Sequence, residues 1–444
     1  EVLGDVSISV PPESQAVLSA PRKPHTVTAV AVRPLTTRVT VAVDDANTAP
    51  PRALATRIVQ ATAATLGRRA VELSLPVVAE FSHRPGFDQA RELSVTVVGE
   101  RRVNQILIGR RDRTCGLAVD VGTTSFVVFL CDLVHGDILA MRTASNPQSI
   151  YGEDVISRMT HIQRDPTTLA DMRRLLVEAI NQLLLEACAE CGVDADDVVD
   201  AVLVGNPTMQ HIVLGLNPES LGRGPYLPVW SQGAHVDACE LGLAMARHAQ
   251  VYVFPMVSGY IGGDTLAALM TRGPEFYRGA QLLVDVGTNG EVVLAHNGRL
   301  AATSCATGPV YEGAHIRCGM RAAPGAIERV WVDGAGKIRC AAIPPDVGST
   351  DKRPLGLCGS GVISSVSAGV RAGLIGSDGA LSPPTTHPQL RASPEPGYSQ
   401  ELVLVGSAFS RTGRDIVLTQ QDVRAVQLGK AALRAGIEIL LAEN

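Results

Sequence analysis

The chain has 444 residues, 45% hydrophobic and 19% charged, which is enough for two to four domains with real cores. A net charge of −5, a pI near 6.1 and no clustered Lys/Arg stripe argue against nucleic acid or an anionic membrane as the main partner. Aromatic residues at 4% argue against base-stacking platforms, no apolar run reaches membrane-span length, and nine scattered cysteines read as reduced thiols, so the expected compartment is the cytoplasm.

Residues 1–22 read as a linker, with a short strand followed by the Pro/Ser-rich exit after Pro11. Residues 23–112 read as a small α+β domain. Strands are expected at Thr26–Val32, Arg38–Val43, Leu93–Val98 and Val103–Gly109, with a helix over Pro51–Leu66 on which Leu54, Ile58 and Ala61 share a face. No cluster of titratable residues and no glycine loop occurs there, so a spacer or docking role is expected.

The next stretch organises the chain. Leu117-Ala-Val-Asp120-Val-Gly122-Thr123-Thr124 returns 165 positions later as Leu282-Leu-Val-Asp285-Val-Gly287-Thr288-Asn289, matching in six of eight positions. Each copy reads as a buried strand ending on a carboxylate, a glycine turn with hydroxyl or amide residues, and a further strand, Phe126–Leu130 or Glu291–Leu294. The glycine lets backbone N–H groups approach an anion, the threonines add donors, and the aspartate can hold hydrated Mg2+ or orient a water. One Asp-x-Gly-Thr is an ordinary turn; two in matching context predict a duplicated fold with two phosphate grips. The expected lobes are 113–275 and 276–444.

Within the first lobe, a polar loop from Asn146 leads to one helix and Pro166–Cys191 to a long amphipathic one. The Cys188/Cys191 pair lies at that helix end without a second pair, so a structural role is expected. Strand Asp200–Val204 stops at Gly205-Asn206-Pro207-Thr208, where Asn206 and Thr208 either cap the helix over Met209–Leu214 or face a nucleotide. A strand over 251–257 leads to Gly262-Gly263-Asp264, which suits close approach to a ligand, a hinge or a plain turn before a helix over Thr265–Met270.

In the second lobe, the strand Arg299–Ser304 ends in a small-residue loop that reaches Glu312. Residues 314–352 read as an inserted β-rich subdomain. Gly359-Ser360-Gly361 opens a helix and suits a ribose or phosphate, although the same string is also an ordinary helix entry. Residues 382–397 are proline-rich and expected to be exposed. Thr419 and Asp422 form a capping-box pattern before a helix over Val423–Leu441, with Val426, Leu428, Ala432, Ile437 and Leu440 available for burial.

Paired Asp-x-Gly-Thr hairpins resemble the actin, sugar-kinase and heat-shock chaperone superfamily, so the expected fold is α/β, a duplicated two-lobed actin-like ATPase preceded by the small α+β domain. Ser145-Asn-Pro-Gln, Tyr151 through Arg158, Gly205-Asn-Pro-Thr-Met209, Asp285 through Glu291, Gly308-Pro309 through Glu312-Gly313, and Leu357-Cys-Gly-Ser-Gly361 together resemble the reductive activators of corrinoid proteins. That resemblance implies an ATPase that returns an inactive Co(II) corrinoid to Co(I), with ATP and Mg2+ as cofactors. The implied partners are the corrinoid protein of a methyltransferase system and an electron donor, commonly a 2Fe-2S ferredoxin-like domain preceding this region; a second copy of the chain is also open as a partner. Asp120 and Asp285 would serve Mg2+ and water, and Glu312 would act beside them. Gly122, Thr123, Thr124, Gly287, Thr288, Asn289, Gly262, Gly263, Gly359, Ser360 and Gly361 would hold the nucleotide, and Ser304 would face the corrinoid. The start at Glu1 and the end at Asn444 both read as cut, which leaves out the cluster ligands and the end of the adenosine pocket. The alternatives are a small-molecule kinase of the same fold, for which Asp264 is the candidate base, and an ATP-switched binding module.

Overall fold

The computed structural model describes residues 32–43, 52–345, 351–394 and 399–444. The expected strand over 1–10, the proline-rich exit and the strand Thr26–Val32 up to its last residue lie outside them. The chain divides into two compact units, with the break between Arg272 and Gly273.

The first unit opens with β1 (Thr36–Ala42), α1 (Leu54–Thr65), β2 (Glu72–Leu73), α2 (Leu75–Ser82), β3 (Glu92–Val98) and β4 (Arg102–Ile108). These strands form a four-stranded sheet of order β1-β3-β4-β2. On α1, Ile58 is buried, and Leu54 and Ala61 pack partly buried against the same core, as their spacing predicts. This sheet is fastened to the rest of its unit by charge: Arg38 donates to Asp197 at 2.5 Å, with both side chains almost fully buried. Thr36 donates to Asp200 at 2.6 Å.

There follow β5 (Cys115–Val121), β6 (Ser125–Asp132), β7 (Ile138–Ser145), α3 (Val155–Arg164), α4 (Thr168–Cys191), β8 (Val198–Gly205) and α5 (Pro207–Leu214). The unit ends with β9 (Ala234–Asp237), α6 (Ala238–Leu241), β10 (Gln250–Val253) and α7 (Gly263–Met270). The second sheet has the order β7-β6-β5-β8-β10-β9, with β5 parallel to β8 at its centre. Helix α4 supplies Met172, Leu176, Ile180 and Leu184 to the core, a four-residue spacing that keeps one stripe inward, and Gly192 closes it in the left-handed conformation. Burying each such side chain contributes about 1.5–3 kcal/mol. The strand expected over 251–257 is shorter: β10 ends at Val253.

The second unit contains β11 (Ala280–Val286), β12 (Gly290–His296), β13 (Arg299–Cys305), β14 (Ala326–Val332), β15 (Ile338–Ala342) and β16 (Gly356–Leu357). Then come α8 (Gly359–Arg371), β17 (Leu390–Ala392), β18 (Gln400–Val405), β19 (Ile416–Thr419) and α9 (Gln420–Glu443). The repeat is real at the level of topology. β5-β6-β7 and β11-β12-β13 are both antiparallel meanders, and Asp120 pairs with Val127 as Asp285 pairs with Glu291. The β-rich insertion is the β14–β15 hairpin, to which β16 adds in parallel.

Thr419 and Asp422 form the expected capping box at α9. One expectation for this helix fails: Leu428 is 73% exposed. The inward stripe is Val423, Val426, Gly429, Gly436 and Leu440, and its two glycines leave room for the Tyr311 ring and for Thr303 and Cys305. Leu428 falls off that stripe.

Candidate functional site: two glycine hairpins

The first hairpin turns between β5 and β6. A Cβ on Gly122 would lie 2.5 Å from the Ser125 carbonyl oxygen, so the turn itself requires glycine. Three distant segments hold it, two through its backbone and one through the Thr123 side chain. Asn146 Nδ2 donates to Gly122 O at 2.9 Å, and Asn146 N donates to Thr124 O at 2.9 Å. Arg158, on α3, donates to Thr123 O at 2.6 Å. Asn206 Nδ2 donates to Thr123 Oγ1 at 2.9 Å, so this hydroxyl keeps its hydrogen as a donor.

Arg158 is completely buried. Besides Thr123 O it reaches Gly152 O at 3.0 Å, Gln148 Oε1 at 3.2 Å and Met209 Sδ at 3.3 Å, all neutral acceptors. Burial lowers its pKa to about 10, a loss offset in part by Glu153 and Asp154. It remains a cation at neutral pH, placed directly beneath the loop. Neither Arg158 nor Asn146 was singled out by residue chemistry, although both lie in words that carry the family resemblance. Asn206 caps α5, its Oδ1 accepting from Met209 N at 3.0 Å, while its Nδ2 reaches the loop. Thr208 is not the cap.

The carboxylate of Asp120 is solvent-exposed at the end of β5. Gly262 packs against Gly205 O and Asn206, and Gly263 against Phe254, where Gly263 N also donates to Gln210 at 3.0 Å. Close helix packing therefore gives both glycines a reason beyond any ligand. The cap of α7 is Gly262 and not Asp264, whose carboxylate instead accepts from Thr265 N at 2.7 Å in the first turn.

The second hairpin is held differently. Thr307 Oγ1 donates to Gly287 O at 2.7 Å and Thr288 O at 2.9 Å. Glu312 Oε1 accepts from Thr288 N at 2.9 Å and from Thr288 Oγ1 at 2.6 Å. Gly287 N donates to Asn289 O at 3.2 Å, closing the turn. Glu312 ends a short 3-10 turn over Pro309–Glu312, entered through Gly308 and left through Gly313, both at positive φ. The N-terminus of α8 comes to the same place: a Cβ on Gly359 would collide with Tyr311 O, and one on Gly361 with Ile327 O. Ser360 between them is exposed. Thr288, Asn289, Glu312 and Gly359–Gly361 therefore belong to one neighbourhood.

Asp285 is exposed to solvent, yet partial desolvation of its carboxyl pushes its pKa up. Ser304 Oγ donates to Glu291 Oε1 at 3.0 Å across the β12–β13 pair, which gives this hydroxyl a structural partner.

Two family models match the chain: the RACo middle region over residues 115–274, and the C-terminal ASKHA domain of RACo over residues 279–444. The chain belongs to the RACo family. Corrinoid activation enzyme RamQ of Eubacterium limosum is 33% identical over 376 residues, which cover 83% of this chain and 61% of RamQ. A [Co(II) methylated amine-specific corrinoid protein] reductase of Methanosarcina barkeri is 27% identical over 286 residues, covering 59% of this chain and 51% of the relative. The solved structure of a reductive activator for corrinoid, iron-sulfur protein superposes with a TM-score of 0.81 at 30% identity, over 94% of this chain and 65% of that one. The chain thus spans half to two thirds of the length of these RACo-type relatives. Its α/β architecture with an actin-like ASKHA domain agrees with the fold expected from the duplicated hairpins.

Proposed function

We propose that this chain is the ATP-handling part of a corrinoid-protein activator, in which ATP binding and hydrolysis drive the return of an inactive Co(II) corrinoid to Co(I) for methyl transfer. The observation that carries the reading is at Thr288. Its backbone N–H and hydroxyl converge on one oxygen of Glu312, a carboxylate standing where a phosphate oxygen would be received.

The residues fit the nucleotide and its ion. Bound Mg-ATP supplies phosphoryl transfer to water. Thr288 offers two donors, Thr123 a hydroxyl hydrogen, and buried Arg158 a positive potential behind the first loop. Asp120 and Asp285 would hold Mg2+ and its waters, and Glu312, once displaced from Thr288 by a phosphate, would take a proton from the attacking water. The exposed N-terminus of α8 at Ser360 is the candidate nucleotide contact beyond the phosphates.

Reduction of Co(II) to Co(I) takes one electron, which ATP does not supply. The cysteines of this chain do not fit a 2Fe-2S cluster, since the one metal-type grouping among the described residues contains a single cysteine. On this reading the electron comes from an iron–sulfur domain or protein other than these residues. A partner that favours Co(II) without its axial ligand, a form closer to Co(I), raises the reduction potential, and ATP turnover then drives release of the pair. Among the described residues no helix is long and apolar enough to cross a membrane, and we place the reaction in the cytoplasm. A homodimer is testable by light scattering.

Anaerobic absorption spectroscopy on a corrinoid protein mixed with this chain, its electron donor and ATP tests the reading. Loss of the Co(II) spectrum should require both ATP and the reductant. ATP turnover indifferent to the corrinoid protein but stimulated by a small hydroxylated substrate would replace the proposal with a kinase.

A further inference from the structure

A second cluster of chemistry lies in the first unit, apart from either hairpin. Asp237 ends β9, Cys239 lies in α6, and His248 precedes β10. One ligand atom from each lies within 4.8 Å of the other two. Backbone bonds clamp the two segments together: Ala238 N donates to Ala249 O at 2.9 Å and Cys239 N to Arg247 O at 3.0 Å. The three side chains are therefore brought together by the fold and not by chance surface proximity.

His248 carries the argument. Its side chain is only 8% exposed, and it points a nitrogen at a carboxylate on each side. Nδ1 is 3.2 Å from Asp237 Oδ2, and Nε2 is 3.6 Å from Glu80 Oε2 on α2. In a tetrahedral site with nitrogen and oxygen ligands about 2.0–2.1 Å from the ion, neighbouring ligand atoms lie about 3.3 Å apart. The Nδ1–Asp237 separation already has that length. The outward nitrogen facing a carboxylate is the arrangement that fixes the tautomer of a metal-bound histidine.

We propose that Asp237 Oδ2, Cys239 Sγ and His248 Nδ1 bind a zinc-type divalent cation, with Glu80, 3.6 Å from His248 Nε2, as the carboxylate facing its outer nitrogen. A thiolate and a carboxylate neutralise the two positive charges, and an imidazole completes the mixed S/N/O set that suits zinc. Arg102 occupies the other Asp237 oxygen at 2.5 Å, which leaves Oδ2 to the ion. Asp237 and Cys239 are only partly buried, so the fourth position is open to water. Glu80 belongs to the four-stranded-sheet layer and the three ligands to the six-stranded one, so the ion would rivet the two layers.

Chelator-treated chain is titrated with Co2+ as a spectroscopic probe and then with Zn2+ in competition. One equivalent of Co2+ should give a thiolate-to-cobalt charge-transfer band that Zn2+ abolishes. Cys239→Ser should lose the band, and Glu80→Gln should weaken binding by about 10–100-fold. Circular dichroism and melting of the metal-free variants must match the parent, and Cys239→Ser decides the matter even if a His248→Ala chain fails to fold. A band that persists in Cys239→Ser, or no cobalt bound by the parent chain, overturns the site.

Discussion

The two hairpins share their words but not their surroundings. The first turns out of β5, at the centre of a six-stranded sheet, and it is pinned by three polar side chains from other segments, two of them fully buried and bonded to its backbone. The second turns out of β11, an edge of a three-stranded sheet on which Leu282, Val284 and Val286 are 39–42% exposed, and its donors are held by a single glutamate. A guanidinium surrounded by neutral acceptors cannot move without stranding them. A carboxylate hydrogen-bonded to Thr288 can be exchanged for another oxyanion. One hairpin is built as a fixed support, the other as an exchangeable contact.

Arg158→Met is the strongest way to break that contrast. It leaves several buried acceptors without a donor, so denaturant unfolding should show a loss of about 3 kcal/mol in the first unit. A loss below about 1 kcal/mol would mean that the loop does not depend on the guanidinium. The corresponding change in the second hairpin should be catalytic instead. Glu312→Gln should lower ATP turnover about 100-fold in a phosphate-release assay while leaving nucleotide affinity nearly constant. Turnover at the parent rate would reduce Glu312 to a clip on Thr288.

Asn206 sharpens the comparison, because it does two jobs in the first unit. Asn206→Ala loses the α5 cap and the bond to Thr123, and should cost about 1–2 kcal/mol. Asn206→Asp keeps the cap but removes the amide donor, and urea titration should place it between Ala and the parent. The smallest effect is expected at Asp285. Its carboxyl is raised by desolvation, so the protonated form favours the fold; that contribution is complete below the ordinary aspartate range and is lost as pH rises through the raised value. Asp285→Asn should flatten this dependence in melts of the chain between acid and neutral pH. An unchanged pH profile would show that solvent at this exposed residue outweighs the desolvation of its carboxyl.

The parts of this molecule legible in the sequence are those written as local periodicity or repetition. Both meanders, the long helix α4, the capping box at Thr419 and Asp422, and the β14–β15 hairpin all follow from nearby residues. Leu428 was misplaced because the inward face of α9 is marked by Gly429 and Gly436, and glycine registers in a hydrophobic pattern as a gap. Arg158 and Asn146 were missed as supports for a different reason. Their partners are main-chain oxygens, and nothing in a sequence marks a carbonyl as the acceptor of a residue tens of positions away. Glycines 262, 263, 359 and 361 are ambiguous in the sequence for the converse reason, since a ligand-like glycine pattern also arises wherever a helix end packs closely on another segment.

The three pins of the first hairpin come from positions 24, 35 and 83 residues further along the chain than the loop groups they hold. Contacts of such long sequence separation form late, because the chain between them must first be ordered. A partly folded first unit therefore has β5 and its turn before it has a rigid loop. Nucleotide affinity should rise only in the last step of refolding, after helical signal and apolar burial have recovered. A chain emerging from the ribosome would lack a rigid first hairpin until Asn206 was in place, and the hairpin thus reports completion of the unit that contains it.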